Sequence, residues 1–535
     1  MDGRHIEKET MSTSVIIDDS RLSQRRRTQQ WLIVIGAGVL GLGMSLWQLS
    51  VPEQLSFYNS GVYFAASFKL VTGVMPYRDF VFVQPPGILL ALSPATLLAR
   101  IVGTHDGFIV ARVMGGIVVG LNASLLALLL RRRGRVAMII AGFGLSLLPV
   151  AFWVSSAVML EPYCIVFVLL GALALLGSDE GLVPSRRRAI IAGALFGVAT
   201  LMKLWAILPF IAILLCLLPR NRRRILNTLT SAGSTFIIVA LPFFVSAPRN
   251  FISQVFVEQL GRSSNSSNDV TILNRLVNLT GFATTRIVPS AGESLAVFMV
   301  LFVIVIAAFV RRRFDDVRDI FLVVSALLIV VALLIAPEFY SYYAYFAAPF
   351  LMGLFAACLS RIAPLLRPCF ARLQVRAHIR RLVGFSSAVT GALALFGAVL
   401  WVTSQFSAYA FGYGIYTPWL NAIDHHVPSG SCVVYSDVSF GVVTNRLATS
   451  DPRCPNVVDP DGMLVSYDDR GHAPQSLVTQ WRSYFSSSPY VVLLYPRVPR
   501  IPWDSSLDSW FAHHFHLVYE KNYVYIYRST SHSPS

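Results

Sequence analysis

The sequence predicts an α-helical polytopic membrane protein of about eleven spanning helices, followed by a small C-terminal extracytoplasmic α/β domain. Three observations carry that prediction. Of 535 residues, 55% are hydrophobic and only 13% are charged, against about 25% charged in a soluble chain. The mean hydropathy is +0.61. Arginine runs recur at the ends of apolar stretches: Arg25–Arg27, Arg131–Arg133, Arg186–Arg188, Arg222–Arg224 and Arg311–Arg313. The gaps between these runs carry Asp79, Glu161, Glu258 and many aromatic residues instead. Arginine at the end of a spanning helix stays on the cytoplasmic side, so the alternation maps topology. It predicts a multi-pass protein of the plasma (inner) membrane with its N-terminus inside and its polar chemistry facing outward. The net charge of +16 and pI near 9.8 would suit nucleic acid, but the arginines cap membrane helices, so the lipid bilayer is the expected partner and no nucleic acid is.

The elements follow in order. Residues 1–30 form a cytoplasmic tail ending in Arg25–Arg27, and helix 1 spans Trp31–Leu49. No small-residue cleavage motif follows it, so it reads as retained rather than as a signal peptide. A long outer loop covers about 50–106. Helix 2 (Gly107–Leu130) returns to Arg131, helix 3 (Val136–Trp153) goes out, and helix 4 (Cys164–Leu176) comes back to Arg186. The stretch Ala189–Leu218 has arginines at both ends and Lys203 near its middle, so it must go out and return as two short helices. Helix 7 (Thr228–Val245) leads to a second outer loop at about 246–293, helix 8 (Ser294–Val310) returns, and helix 9 (Ile320–Ile335) exits. Helix 10 (Ala344–Ser360) reaches a basic inner segment, and helix 11 (Ser386–Gln405) ends the 31–405 membrane domain outside. No repeat relates the two halves.

Residues 406–535 have soluble composition. Cys432–Tyr435 and Tyr490–Tyr495 are short and β-branched, and Val518–Arg528 reads as a hairpin around Glu520-Lys521-Asn522. Trp481–Phe485 and Leu507–His514 read as short helices. Cys432 and Cys454 are a natural disulfide in an oxidising compartment, two free thiols being the alternative. The other cysteines lack CxxC spacing, and His513, His514 and His516 have no cysteine or carboxylate set nearby, so no metal site is read there.

The chemistry is expected in the first outer loop. Two amphipathic stretches, Tyr63–Val71 and Ile88–Ile101, flank the turn-rich block Pro76–Gly87 (PYRDFVFVQPPG) and are expected to lie along the outer membrane surface. Arg78 and Asp79 then sit at the interface, where ionisable residues are candidates for function. A plain Arg78–Asp79 surface pair is the alternative.

This loop resembles that of the GT-C glycosyltransferases, in particular the actinobacterial-type, polyprenyl-phosphate-sugar-dependent members of glycosyltransferase 87 and their mannosyl- and arabinosyltransferase relatives. Gly-x-x-Pro-Tyr-Arg-Asp-Phe followed by Pro-Pro-Gly carries the resemblance. So do Leu160–Tyr163 (LEPY), Gly197–Trp205 (GVATLMKLW) and Glu338–Phe350 (EFYSYYAYFAAPF), all in order between about 30 and 360. The resemblance implies an enzyme that passes a sugar from a polyprenyl-phosphate-linked donor to an envelope glycan or glycolipid acceptor on the outer face, with inversion. An acidic residue of the first outer loop acts as base in such enzymes, which requires a carboxylate within reach of the acceptor hydroxyl and a raised pKa. Relatives carry an acid just before Gly-x-Tyr, where this chain has Asn59-Ser60-Gly61-Val62-Tyr63. Asparagine cannot be a base, so Asp79 is the first catalytic candidate and Glu161 the second. The candidate substrate-binding set is Asn59, Tyr63, Arg78, Gln84, Lys203, Arg262, Tyr342 and Tyr343. In it Arg78, Lys203 and Arg262 are the cations for a phosphate leaving group and the tyrosines stack on sugar or lipid. Snorkelling of Lys203 and an interfacial aromatic belt are the bland alternatives. No cofactor is read from these residues, and a divalent metal is left open.

The rival reading is a polytopic lipid or glycan transporter or flippase, supported by the helix count and by polar groups within spans such as Arg112 and Asn122. Against it stand the clustering of polar motifs on one side and the absence of a repeat. A third reading is a non-catalytic outer scaffold, which predicts no acidic pocket.

Overall fold

The computed structural model describes residues 3–49, 58–177, 184–218, 222–260, 271–281, 316–371, 417–449, 451–465, 475–521 and 523–531. Among them, five helices are long and apolar enough to span a bilayer: Gln24–Trp47, Thr104–Leu129, Arg222–Ser246, Val317–Ile335 and Ser341–Arg361. The pair Arg135–Leu147 and Pro149–Ser156 makes a sixth span bent by 51°. Here the expected straight helix 3 is corrected. Proline at 149 lacks the N–H that would continue the ladder and forces Leu148 into extended backbone. The expected helices 8 and 11 and the basic inner segment beyond 371 lie outside the described residues, as does Arg311–Arg313.

In chain order the helices are α1 (Gly3–Leu49), α2 (Tyr58–Val71), α3 (Gly87–Val102), α4 (Thr104–Leu129), α5 (Arg135–Leu147), α6 (Pro149–Ser156), α7 (Leu160–Leu176), α8 (Arg186–Met202), α9 (Ile207–Leu217) and α10 (Arg222–Ser246). Then come α11 (Pro248–Ile252), α12 (Glu258–Leu260), α13 (Ile272–Leu279), α14 (Val317–Ile335) and α15 (Ala344–Ala371). The chain breaks between α8 and α9 at Lys203, as the arginines at both ends of that stretch require. Small residues bring helices together where apolar side chains have no water to escape. A Cβ on Gly120 of α4 would lie 2.6 Å from the Gly38 carbonyl of α1, and one on Gly197 of α8 would lie 2.6 Å from the Ala232 carbonyl of α10.

The bundle has two chemically distinct ends. At one, Asp319 is fully buried between Arg133 and Arg361, while Arg318 and Arg131 donate to the Leu176 and Gly177 carbonyls that end α7. At the other lie the start of α2, the start of α7, the break at Lys203, and the tail.

The tail contains α16 (Thr417–His426), β1 (Val433–Tyr435), α17 (Ser439–Val443), α18 (Pro460–Val465), α19 (Gln475–Ser486), β2 (Tyr490–Leu493), α20 (Ser505–His514), β3 (Phe515–Lys521) and β4 (Val524–Ser529). Its sheet runs β1-β2-β4-β3, with β1 parallel to β2 and the rest antiparallel. The β3–β4 hairpin covers the expected one, and Tyr523 takes the positive φ of its turn. Cys432 and Cys454 are joined, closing a loop of 22 positions.

The tail and the membrane domain share a core: Val438, Val442, Val443, Leu447 and Val458 pack into the same apolar cluster as α2, α3 and α4. This corrects the picture of α2 lying on a membrane surface. Ser60–Phe68 are buried, because α2 is roofed by the tail. The other stretch, α3, does turn Leu90, Leu97, Leu98 and Ile101 outward.

Candidate active site

Three chain segments meet around one buried ion pair. The first is the backbone from Ala157 to Met159, which is extended and leads into α7. It places Glu161 in the first helical turn, where the unpaired N–H groups of the helix favour a carboxylate. The second is the break after α8, where Lys203 leaves the helix with φ −155° and ψ 130°. The third is Pro337–Tyr343, which enters α15 through a short 3-10 turn.

Lys203 Nζ pairs with Glu161 Oε1 and stands 4.3 Å from the Trp205 ring centroid and 4.1 Å from that of Tyr343. Both charged residues are almost wholly buried, at 6% and 1% exposure. Glu161 Oε2 has no hydrogen-bond partner among the described residues. A buried carboxylate oxygen with nothing to accept from is costly and available for chemistry. The aromatic wall continues through Tyr343 to Tyr342 and Tyr340, and Tyr342 also meets Trp153 edge-on. Lys203 therefore does not snorkel to an interface; it is held between two ring faces.

The segment from α2 to the start of α3 reaches this pocket twice. Asn59 donates from its amide to the Tyr342 hydroxyl at 2.9 Å. Tyr63, one turn on, is buried against Phe82. At the other end of the segment, Pro85-Pro86-Gly87 abuts the backbone that presents Lys203. A Cβ at Gly87 would lie 2.5 Å from the Leu201 carbonyl oxygen and 2.9 Å from the Met202 nitrogen. The motif thus carries a packing requirement, since only glycine allows that approach. Gln84 ties the same stretch by accepting the Tyr77 hydroxyl on its carbonyl at 2.6 Å.

Asp79 lies in the Pro76–Gly87 block beside Arg78. It sits on a tight turn where Tyr77 takes φ 68° and donates its N–H to the Phe80 carbonyl at 2.9 Å. Arg78 Nε and Nη2 donate to its two oxygens at 2.8 Å each, and the Met75 N–H donates at 2.8 Å. The Arg78 hydrogen bonds, more than any other influence, hold its carboxyl below the usual range. The raised pKa expected of a base at this position is therefore absent, and the surface pair is what forms. With side-chain exposures of 52% and 29%, the Arg78–Asp79 pair lies at the protein surface. Arg262 lies outside the described residues. Among the described residues no three His, Cys, Asp or Glu side chains converge on a common point.

Several residues of the site were not singled out from sequence. Trp205 completes the cage on Lys203. Two residues beyond α10 hold the Pro76–Gly87 block: the Gln254 side-chain oxygen accepts from the Phe82 N–H at 3.0 Å, and the Asn250 amide donates to the Tyr77 carbonyl at 2.8 Å. Tyr58 links Asn59 to the tail through Asp459.

No curated protein sequence is a significant match to this chain. ArnT from Cupriavidus metallidurans bound to undecaprenyl phosphate superposes with a TM-score of 0.58 at 16% identity, over 94% of this chain and 99% of that one. The archaeal oligosaccharyltransferase AglB from Archaeoglobus fulgidus, in complex with an inhibitory peptide and a dolichol-phosphate, gives 0.50 at 14% identity, over 94% and 74%. At such identities the likeness is one of fold. The sequence profile of Glycosyltransferase family 87 matches residues 82–337, so that the chain pairs a family 87 match with the GT-C architecture of ArnT and AglB.

Proposed function

We propose that this chain is a membrane glycosyltransferase that moves a sugar, hexose or pentose, from a polyprenyl-phosphate donor to an envelope glycan or glycolipid acceptor at the outer face, with inversion. The family 87 match supports the reaction class. The lipid class is carried over from ArnT and AglB, which are seen with undecaprenyl phosphate and a dolichol-phosphate.

The observation that carries the reading is the Lys203–Glu161 pair, a buried cation and a carboxylate with one bare oxygen, walled by Trp205 and Tyr343. The acceptor hydroxyl attacks the anomeric carbon opposite the phosphate, the sugar–phosphate bond breaks, and the phosphate leaves with one more negative charge. Lys203 is placed to follow that charge, because it gains more from the departing phosphate than from the carboxylate. Glu161 then takes the proton of the acceptor hydroxyl. Asn59 and Tyr342 orient the sugar, Tyr343 and Tyr63 face it, and Arg78 meets the donor phosphate at the rim. Glu161 is preferred to Asp79 as the base, since Asp79 would first have to shed both Arg78 bonds.

Transfer from a polyprenyl-phosphate sugar by the purified protein in liposomes tests this, the acceptor being identified from the envelope species that cells lacking the protein fail to complete. Glu161→Gln should cut turnover by about 10²–10⁴, and Asp79→Asn by far less. The opposite ranking returns the base to Asp79. Normal transfer by both variants defeats the reading.

A further inference from the structure

One buried cation has no role in the scheme above. Arg112 lies in α4 about two turns from Thr104 and is 7% exposed. Its Nε donates to the Ser156 carbonyl at 2.6 Å, and its Nη2 has no hydrogen-bond partner among the described residues. No carboxylate among the described residues pairs with it, whereas Arg133 and Arg361 share Asp319 and Arg446 pairs with Asp424. An ionised guanidinium held inside a membrane bundle without a counter-ion is costly, and it persists where function needs it.

Its place in the fold is informative. Ser156 opens the extended segment that runs to Glu161, so Arg112 stands at one end of that segment and the Lys203–Glu161 pair at the other. Between them the Val158 N–H donates to Ser60 Oγ at 3.0 Å, next to Asn59. On the same helix, three residues before and five after Arg112, Ile109 and Ile117 are exposed.

We propose that Arg112 is an anion-binding residue whose partner is the phosphate group of a long-chain lipid. A planar guanidinium with Nε anchored on a carbonyl and Nη2 unpartnered suits the spread oxygens of a phosphate. Two sources share this chemistry, a polyprenyl-phosphate donor and a bilayer phospholipid. The donor source rests on the transferase reading; the binding itself does not.

Thermal unfolding of the full-length protein, delipidated in a neutral detergent, tests the proposal with undecaprenyl phosphate and phosphatidylglycerol titrated separately. Arg112→Met removes a buried uncompensated charge, so the lipid-free variant should melt above the wild type, while its apparent affinity for lipid phosphate falls about 10- to 100-fold. Arg112→Gln keeps a donor for Ser156 but no charge, and should lose the same affinity. Stabilisation of the wild type by undecaprenyl phosphate alone assigns the site to the donor; equal stabilisation by both lipids assigns it to lipid phosphate in general. The proposal is overturned if neither lipid stabilises the wild type, or if Arg112→Gln titrates like the wild type. It is also overturned if Arg112→Met melts lower without losing affinity, which would make Arg112 a structural tie to Ser156. Sugar transfer measured on the same wild-type preparation separates the two readings: binding without transfer leaves this inference standing and removes the enzyme.

Discussion

The Tyr58 hydroxyl donates to Asp459 at 2.8 Å across 401 positions of the chain and accepts from the Asp461 N–H at 2.9 Å. The Arg500 guanidinium lies 4.0 Å from the centre of the same ring and pairs with Asp461. Tyr58 precedes Asn59, whose amide reaches Tyr342 in the pocket. The tail therefore forms a wall against the start of α2, the helix that carries Asn59 into the candidate site. Gly61 shows how close the contact is, since a Cβ there would lie 2.8 Å from the Ser439 backbone.

Removing the hydroxyl should loosen that wall. Tyr58→Phe takes one hydrogen bond from the buried Asp459 carboxylate, a loss of about 1.5–3 kcal/mol for a bond to a charged group. Gly61→Ala forces the α2 and α17 backbones apart and should do more. Limited proteolysis of the membrane-bound protein should release the tail faster in both variants, with Gly61→Ala the faster. Wild-type protection in both would mean that the tail is held elsewhere.

Asp461 adds a pH dependence of known sign. Burial pushes its carboxyl from 3.8 up to about 6, against the opposing pull of Arg500 and with Asp459 and Asp437 adding to the rise. A raised folded pKa means that the native state prefers the protonated form. Its contribution to stability is full below about pH 4 and is lost as pH rises through about 6. The difference in melting temperature between the wild type and Asp461→Asn should therefore shrink or turn against the wild type from pH 4 to 7. A difference that does not change with pH would show that Asp461 titrates normally.

The disulfide fastens the same region. Cys432 immediately precedes β1, the edge strand of the sheet, and Cys454 precedes the segment that carries Asp459. Closing a loop of about this length stabilises by roughly 3 kcal/mol in the chain-entropy model. Cys432→Ser should lower the melting temperature of the tail and speed its proteolysis. Dithiothreitol should do the same to the wild type and nothing further to the variant.

What was legible in the sequence depended on local chemistry. The excess length of Ala189–Leu218 with Lys203 inside it located the break. The disulfide and the tail strands followed from compartment and β-branching. The bend at Pro149 was a local signal passed over in a stretch of matching hydropathy. The burial of α2 could not be read locally, because its apolar residues meet the tail rather than lipid. The partner of Asp79 could be read, as the adjacent Arg78; the partner of Glu161 could not, since Lys203 lies 42 positions away and nothing in either motif names the other.

The contact between Gly87 and Leu201 separates positioning from chemistry. Gly87 touches no charged group, yet its neighbour is the backbone that hands Lys203 to Glu161. Gly87→Ala places a methyl 2.5 Å from the Leu201 oxygen, so α3 or the end of α8 must move by about an ångström. A shift of that size at a preorganised cation weakens its hold on the phosphate without removing it. In the liposome transfer assay Gly87→Ala should raise KM for the donor several-fold and leave the pH profile of turnover unchanged. Lys203→Met should raise KM further and also lower turnover, because the charge that follows the leaving phosphate is gone. Both variants should bind acceptor normally. If Gly87→Ala lowers turnover as much as Lys203→Met while KM stays at its wild-type value, the Pro-Pro-Gly segment acts on the reacting groups directly and its role as a prop for Lys203 is wrong.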